Sequence, residues 1–584
     1  MPSPQSDVFA HKNRQAVWNH WLPVLAVLRG YKLPWLFSDI IAGFALTAIL
    51  VPAGMGYAAA SGLPVIYGLY ASITPLLVYA VLGHSRILIL GPDSGLIALI
   101  AATILPLAAG DADKAVLFAG VLAILSGALC ILVGLCKFAF ITDLLSKPIR
   151  SGYLNGIAIT VLIGQLPKLL GFSVKADNLV EELLLLYVGI LAGRVNNMAC
   201  AIGVSSLVII FGFKRFLPKI PGVLAAVIMA TLVVSYFDLA ENFKLAVVGS
   251  LPQGLPKLRI PVVSWDEANA LFAGAVAIAL VSFADMSVLS RTFALRGGYQ
   301  VNGNQELIAL GAANIVAGLF QGFCVTSSAS RTPVAEAAGA KTQLAAVVGA
   351  LCVGALLIFA PNLLKNVPHA ALAAVVISAC TALLDIRGLS RLYHLRPSEF
   401  VLSLICLFAV ALLGVIQGIF LAVVLALLIF IWRAWHPYTA VLGRVNGMKG
   451  YHDITRHPEG RLIPGLVIFR WDAPLFFANA EIFHEQVLQA VAAAPTVTKR
   501  VLVAAEPVTD VDITAADSLT ELINTLQQAG IELCFAEMKG RVKDQIKLYG
   551  LYGKLGVGNF FPTIGQAVDD YLLDHQIEWK DWDE

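Results

Sequence analysis

The chain has 584 residues, 58% of them hydrophobic and only 13% charged, and its mean hydropathy is +0.80. Those values exclude an ordinary soluble globular protein and require a polytopic membrane protein over most of the length. A formal net charge of +2 supplies no global field for nucleic acid or an acidic partner.

Residues 1–37 are polar and basic, show no cleavable signal pattern, and read as a cytoplasmic segment, so insertion is expected to rest on the first membrane helix. Apolar windows long enough to cross roughly 30 Å of hydrocarbon then follow one another from 39–61 to 415–433. Two segments break this pattern. One spans 92–107 and opens with Gly91-Pro92-Asp93-Ser94. The other spans about 327–340 and opens within Cys324–Pro333, C-V-T-S-S-A-S-R-T-P, a run of hydroxyls carrying Arg331. Counting both gives fourteen segments, and the amphipathic stretch 180–195 reads as an interfacial helix or a longer continuation.

With the N-terminus inside, about a dozen Lys and Arg fall on inner loops and fewer on outer ones, which places both termini in the cytoplasm of a bacterial-type plasma membrane. Composition shifts near Trp435, which predicts a transmembrane domain over 38–435 and a cytoplasmic α/β domain over 442–584. Within the tail, 465–471, 500–506 and 531–537 read as strands, and 480–493, 514–529, 541–553 and 563–574 as helices. Eight scattered cysteines without a CxxC pair read as packing residues.

Fourteen divides into two sevens, with inverted repeats expected over about 38–237 and 268–433, and the interrupted segments are third in each half. Short Gly/Pro-marked segments at matching positions of two halves point to a transporter site. Half-helix N-termini offer unpaired N–H groups and positive dipole ends, and Arg331 adds a full charge, so the site suits an anion. Hydroxyls at Ser94, Ser328 and Ser330 can donate to an oxyanion or simply let helices pack closely. Asp93 reads first as a helix cap and otherwise as a second cation-coupling carboxylate. Pro52 and Pro75 read as kinks.

Five stretches in order resemble the SulP family of sulfate-permease-like anion transporters, solute carrier family 26: S-D-I-I-A-G-F-A-L-T-A-I-L-V-P-A-G-M-G-Y-A (38–58), Y-G-L-Y-A-S-I-T-P (67–75), N-Q-E-L-I-A-L-G-A-A-N (304–314), S-A-S-R-T-P (328–333) and G-L-V-I-F-R-W-D-A-P-L-F-F-A-N-A (465–480). The resemblance implies a seven-plus-seven repeat, a core domain moving against a gate domain, and a C-terminal STAS domain. It places the substrate between half-helices three and ten. Asp93, Ser94, Gly95, Ser328, Ala329, Ser330 and Arg331 would line the site, with Ala53 and Tyr57 from helix one and Asp285 from helix eight. Three positions depart from the family pattern: Ala53 stands where many members carry Gln, Cys324 where many carry Pro, and Asp285 where Glu is common.

Asp285 is the acidic residue of L-V-S-F-A-D-M-S-V-L and reads as a carrier of H⁺ or Na⁺ beside the anion, or as an ion-pair partner of Arg331. In the tail, Asp512-Ile513-Thr514 occupies the region where soluble STAS relatives carry a phosphorylatable hydroxyl. Thr514 is read as a helix N-cap ahead of a regulatory phosphosite. The tail is expected to mediate homodimer contacts and regulation. The sequence has no phosphate-binding G-x-x-x-x-G-K-[ST] loop, no H-E-x-x-H and no metal-ligand cluster, which leaves enzymatic and ATP-driven roles without parts. The expectation is a secondary transporter of sulfate, bicarbonate or a dicarboxylate, coupled to H⁺ or Na⁺ and without a bound cofactor. An exchanger, an anion conductor or a non-transporting membrane sensor are the alternatives.

Overall fold

A computed structural model describes residues 23–24, 27, 30–139, 146–174, 176, 179–217 and 221–580. Most of the N-terminal segment, Lys175, Lys219 and the last four residues lie outside the described residues. The chain divides into two compact units at Ala426 and Leu427.

The first unit is helical. Its first half contains α1 (Leu33–Ala60), α2 (Ile66–Tyr70), α3 (Thr74–Leu82), a two-residue strand β1 (Leu90–Gly91), α4 (Ser94–Ala108), α5 (Ala112–Leu135), α6 (Lys147–Leu169), α7 (Leu179–Leu191), α8 (Asn197–Phe216) and α9 (Gly222–Tyr236). The second half contains α10 (Trp265–Gly297), α11 (Gly303–Leu319), β2 (Thr326–Ser327), α12 (Arg331–Ala337), α13 (Leu344–Phe359), α14 (His369–Leu383), α15 (Ile386–Leu395), α16 (Pro397–Phe408) and α17 (Val415–Trp435). Among the described residues, six helical spans are long and apolar enough to cross a bilayer, and shorter apolar helices lie between them. Large apolar side chains such as Phe44, Val208, Leu232 and Phe430 stand on the outside, where lipid replaces water as the solvent. The polytopic helical architecture is therefore present.

Packing gathers these helices around two sets of contacts, which α1 joins by packing on α14 as well. In one, α1 packs on α13, and α10 packs on α4 and α5. In the other, α6 packs on α14 and α16, and α8 packs on α9 and α14. The tightest seam of the first bundle joins α5 to α11. Gly120, Gly127 and Gly134 fall seven residues apart on α5, and Gly311 and Gly318 answer them on α11. A Cβ on Gly127 would stand 2.5 Å from the Gly311 carbonyl, so the two backbones touch. Lipid tails are as apolar as leucine, so such close backbone approach is what drives helices together in a bilayer.

The second unit carries a six-stranded sheet ordered β4-β3-β5-β6-β7-β8, with β3 (Thr439–Arg444), β4 (Tyr451–Asp453), β5 (Leu466–Trp471), β6 (Arg500–Ala504), β7 (Glu532–Ala536) and β8 (Phe560–Phe561). Strands β5 to β8 are parallel, and β3 runs antiparallel to β4 and β5. Period-two alternation divides the strand residues between two cores. Val467, Phe469, Val501, Val503, Leu533 and Phe535 meet helices α18 (Ala480–Ala492), α19 (Ile513–Gln528), α20 (Gly540–Leu548) and α21 (Leu551–Leu555). Leu466, Ile468, Leu502, Ala504, Cys534 and Ala536 meet α22 (Ile564–His575). A parallel sheet covered on both faces is the usual solution for such apolar strands. Buried Arg500 fastens β6 to β7 and α22, donating to Glu532 (2.6 Å), Asp570 (2.7 Å) and Asp574 (3.1 Å).

Three readings of the sequence are corrected here. The helix expected over 541–553 is two helices, because Gly550 adopts φ +74 and breaks the run. Strands β3, β4 and β8 are too short or too mixed in pattern to stand out by alternation. Cys136 is exposed at the end of α5, so it is not a packing residue.

Filling the glycine seam tests this packing. Gly127→Val is expected to cost about 1–3 kcal/mol or more through overpacking. Gly212→Val, on α8 with nothing within 4 Å of its Cβ position, should cost little. Thermal unfolding in detergent distinguishes the two.

Candidate functional site

Two broken segments meet inside the first bundle. Strands β1 and β2 pair antiparallel, Leu90 opposite Ser327 and Gly91 opposite Thr326, and each leads straight into a helix start. A broken backbone at this depth must find its hydrogen bonds within the protein. Asn314 of α11 supplies two, accepting from Val325 N at 2.8 Å and donating to Val325 O at 3.0 Å. Thr332 accepts from Ile89 N at 3.1 Å, and Ser328 N donates to Ile89 O at 2.9 Å. The loop before β1 is held in turn. Gln343 donates to Ser85 O and Leu88 O, each at 2.9 Å, and Glu306 accepts from Tyr79 at 2.6 Å and Ser85 N at 2.8 Å. Sequence reasoning did not single out Asn314, Thr332, Gln343 or Glu306. Asn314 and Glu306 lie in the motif 304–314, and their position inside apolar windows was the available signal.

Arg331 is the first residue of α12 and is completely buried. Its Nη2 donates to the Pro92 carbonyl and stands 3.8 Å from Asp93 Oδ1, so one guanidinium ties the two helix starts together. Gly91 makes room for it. A Cβ there would lie 3.0 Å from Arg331 Nη1, and its φ of +149 disfavours any side chain. Nε and Nη1 of Arg331 have no partner among the described residues. Buried polar groups of this kind are costly unless something hydrogen-bonds to them.

Asp93 caps α4, accepting from Gly95 N at 3.2 Å, as its position before the helix suggests. Asp285 approaches the same spot from α10. A Cβ on Gly95 would lie 3.5 Å from Asp285 Oδ2 and 3.8 Å from Asp93 Oδ2, so the two carboxylates flank Gly95. Among the described residues the ion pair of Arg331 is with Asp93, and none joins it to Asp285. Asp285 is half-buried, whereas Asp93 is buried. Buried Ser282, one turn before Asp285, leaves its hydroxyl without a partner among the described residues, as does Ser327 of β2.

The remaining candidates sort by exposure. Ser328 is buried, accepts from Arg331 N at 3.3 Å and lies 3.2 Å from the Ser330 hydroxyl. Ser94 is buried in the first turn of α4, and Tyr57 of α1 faces it within the core that also holds Ala53. Ala329 and Ser330 are exposed, immediately before Arg331. Thr514 lies in the other unit. It is exposed as the second residue of α19 and is not the cap. Asp512 takes that role, accepting from Ala515 N and Phe477 N, each at 2.8 Å.

A double substitution tests the guanidinium tie. Arg331→Met leaves Asp93 and the Pro92 carbonyl buried without their cation, an expected cost of about 3–5 kcal/mol. Adding Asp93→Asn should recover part of that loss, read as thermal unfolding of the purified protein.

The model of the sulfate permease family matches residues 36–406, and that of the STAS domain matches 457–567. A probable sulfate transporter of Mycobacterium tuberculosis is 38% identical over 551 residues, covering 94% of this chain and 98% of the relative. The structure of the murine solute carrier 26 family member A9, an anion transporter in its inward-facing state, superposes with a TM-score of 0.87. At 23% identity it covers 95% of this chain and 94% of that one. The transmembrane domain of a cyanobacterial bicarbonate transporter, BicA, matches with a TM-score of 0.59 at 22% identity, over 68% of this chain and 98% of the other. The chain belongs to the sulfate permease family, solute carrier family 26, and carries a C-terminal STAS domain.

Proposed function

We propose that the chain is a secondary transporter of small oxyanions, with sulfate as first candidate, that binds its substrate at the junction of β1–α4 and β2–α12. The observation that carries this reading is Arg331: fully buried, fixed by Pro92 and Asp93, with Nε and Nη1 unpartnered and exposed Ser330 adjoining it. A fixed guanidinium with free N–H groups suits an oxyanion, and the start of α4 adds a positive dipole end. The sulfate-transporter name of the mycobacterial relative favours sulfate, and the fold shared with a bicarbonate carrier keeps bicarbonate within the class.

Charge counting supports proton coupling. Arg331, Asp93 and Asp285 sum to one negative charge when both carboxylates are ionised, and to zero once one is protonated. An anion is repelled less in the second case, so proton and anion favour each other's binding. Half-buried Asp285 makes no ion pair with Arg331 among the described residues and feels Arg150 only through space, so it is the group proposed to exchange a proton. Sodium at the same carboxylates would do the same electrostatic work.

The two bundles supply the moving parts. The bundle of α1–α5 and α10–α13 carries the site and is locked by its glycine seam. It would move against the bundle of α6–α9 and α14–α17, exposing the site to each side in turn. Positive-inside charge favours both termini in the cytoplasm, with the chain in the plasma membrane. The STAS domain would then be cytoplasmic and available for contacts with a second copy. The relatives are transporters, and the chemistry of the site is binding and release.

Uptake of labelled sulfate into proteoliposomes is expected to rise with an inward proton gradient. Asp285→Asn should abolish that stimulation while leaving sulfate counterflow detectable. Gradient-stimulated uptake that survives Asp285→Asn at every pH tested would remove the coupling role. Counterflow indifferent to any cation gradient in the wild type would make the protein an exchanger.

A further inference from the structure

Away from the candidate site, a cavity of about 200 Å³ opens where three membrane segments end. Its walls include Pro23 and Val27, Trp35 at the start of α1, His84 and Arg86 in the loop after α3, and Tyr299 just before α11. These positions fix its depth, because α1 begins at Leu33, α3 ends at Leu82 and α11 begins at Gly303. The cavity therefore lies at the membrane–water boundary, where Trp and Tyr concentrate. Beside it the surface of α1 is apolar and faces outward, with Leu33 and Phe37 exposed.

The charged side chain among its walls is basic. Arg86 is exposed, holds its guanidinium 5.1 Å from the Tyr299 ring centre, and has no carboxylate partner among the described residues. Lys32 lies 5.8 Å from the ring centre of Trp35, a cavity wall. The nearby carboxylate, Asp39, is buried and already accepts from Tyr31 Oη, Lys341 N, Thr342 N and Thr342 Oγ1. No ion pair joins it to Arg86 among the described residues. A cavity this small holds a headgroup fragment, not a drug-sized ligand.

We propose that this cavity binds the phosphate of an anionic phospholipid, with Arg86 and Lys32 at the headgroup and Pro23, Val27 and Trp35 against its glycerol and first methylenes. Basic pockets between membrane segments at the interface recognise anionic lipid headgroups through this combination of charge and apolar wall. The lipid would staple the N-terminal segment to the loop leading into β1, since Arg86 N and the Ser85 hydroxyl both meet the Tyr299 hydroxyl at 3.2 and 3.0 Å.

Native mass spectrometry of the full chain in detergent, titrated with phosphatidylglycerol or phosphatidylcholine, tests this. The wild type should retain one phosphatidylglycerol in preference to phosphatidylcholine. Arg86→Glu should weaken that retention roughly tenfold, as charge reversal at a single headgroup contact implies. Trp35→Ala should weaken it also, and Lys214→Glu, at the exposed far end of α8, should leave it unchanged. Arg86 is exposed, so its replacement preserves the fold; a matching melting temperature checks this. Equal retention by the wild type and Arg86→Glu would overturn the proposal. Release of the lipid by millimolar inorganic phosphate would also overturn it, by assigning the cavity to a free anion.

Discussion

Everything in the membrane unit follows from interrupting two helices where no water is available to satisfy the broken ends. Each interruption exposes backbone groups that cost several kcal/mol apiece in hydrocarbon, so each must be answered by protein. The answer is reciprocal. Strand β1 pairs with β2, Ile89 bonds to Thr332 and Ser328, and Arg331 of the second break caps the Pro92 carbonyl of the first. Neither half can form its break alone, so the repeats are bound at the place where the proposed substrate sits.

That arrangement explains why small residues recur near the site. Gly91 yields to the guanidinium, while Gly120, Gly127, Gly311 and Gly318 bring α5 and α11 into backbone contact. In the proposed cycle, that seam would keep Arg331, Asp93 and Asp285 in fixed relation as the bundle moves. In the proposed cycle, affinity for the anion then changes through protonation of a carboxylate, with the pocket shape held constant.

Much of this was legible in the sequence because bilayer chemistry is unforgiving. A run of hydroxyls with one arginine inside apolar windows could only be a break, and its partner at Gly91–Ser94 stood at the matching place. The strands of the tail were legible for a different reason: β5, β6 and β7 are short apolar runs bounded by turn residues. What the sequence did not disclose was pairing. Arg331 reads equally well as a partner of Asp285, and only the fold brings Asp93 to it. Asn314 and Gln343 carry no local periodicity that marks them as backbone substitutes. Thr514 looked like a cap because the Asp two residues earlier could equally have been the last residue of the loop.

The central claim is that an oxyanion binds beside the Arg331 guanidinium at the crossing of the two breaks. Residue-resolved alkylation measures it most directly. A thiol placed by Ser330→Cys adjoins Arg331 on the exposed side, and mass spectrometry separates its labelling from that of the native Cys136. The account predicts that sulfate slows labelling at position 330 and leaves Cys136 unaffected. Equal labelling at position 330 with and without saturating transported anion would contradict it.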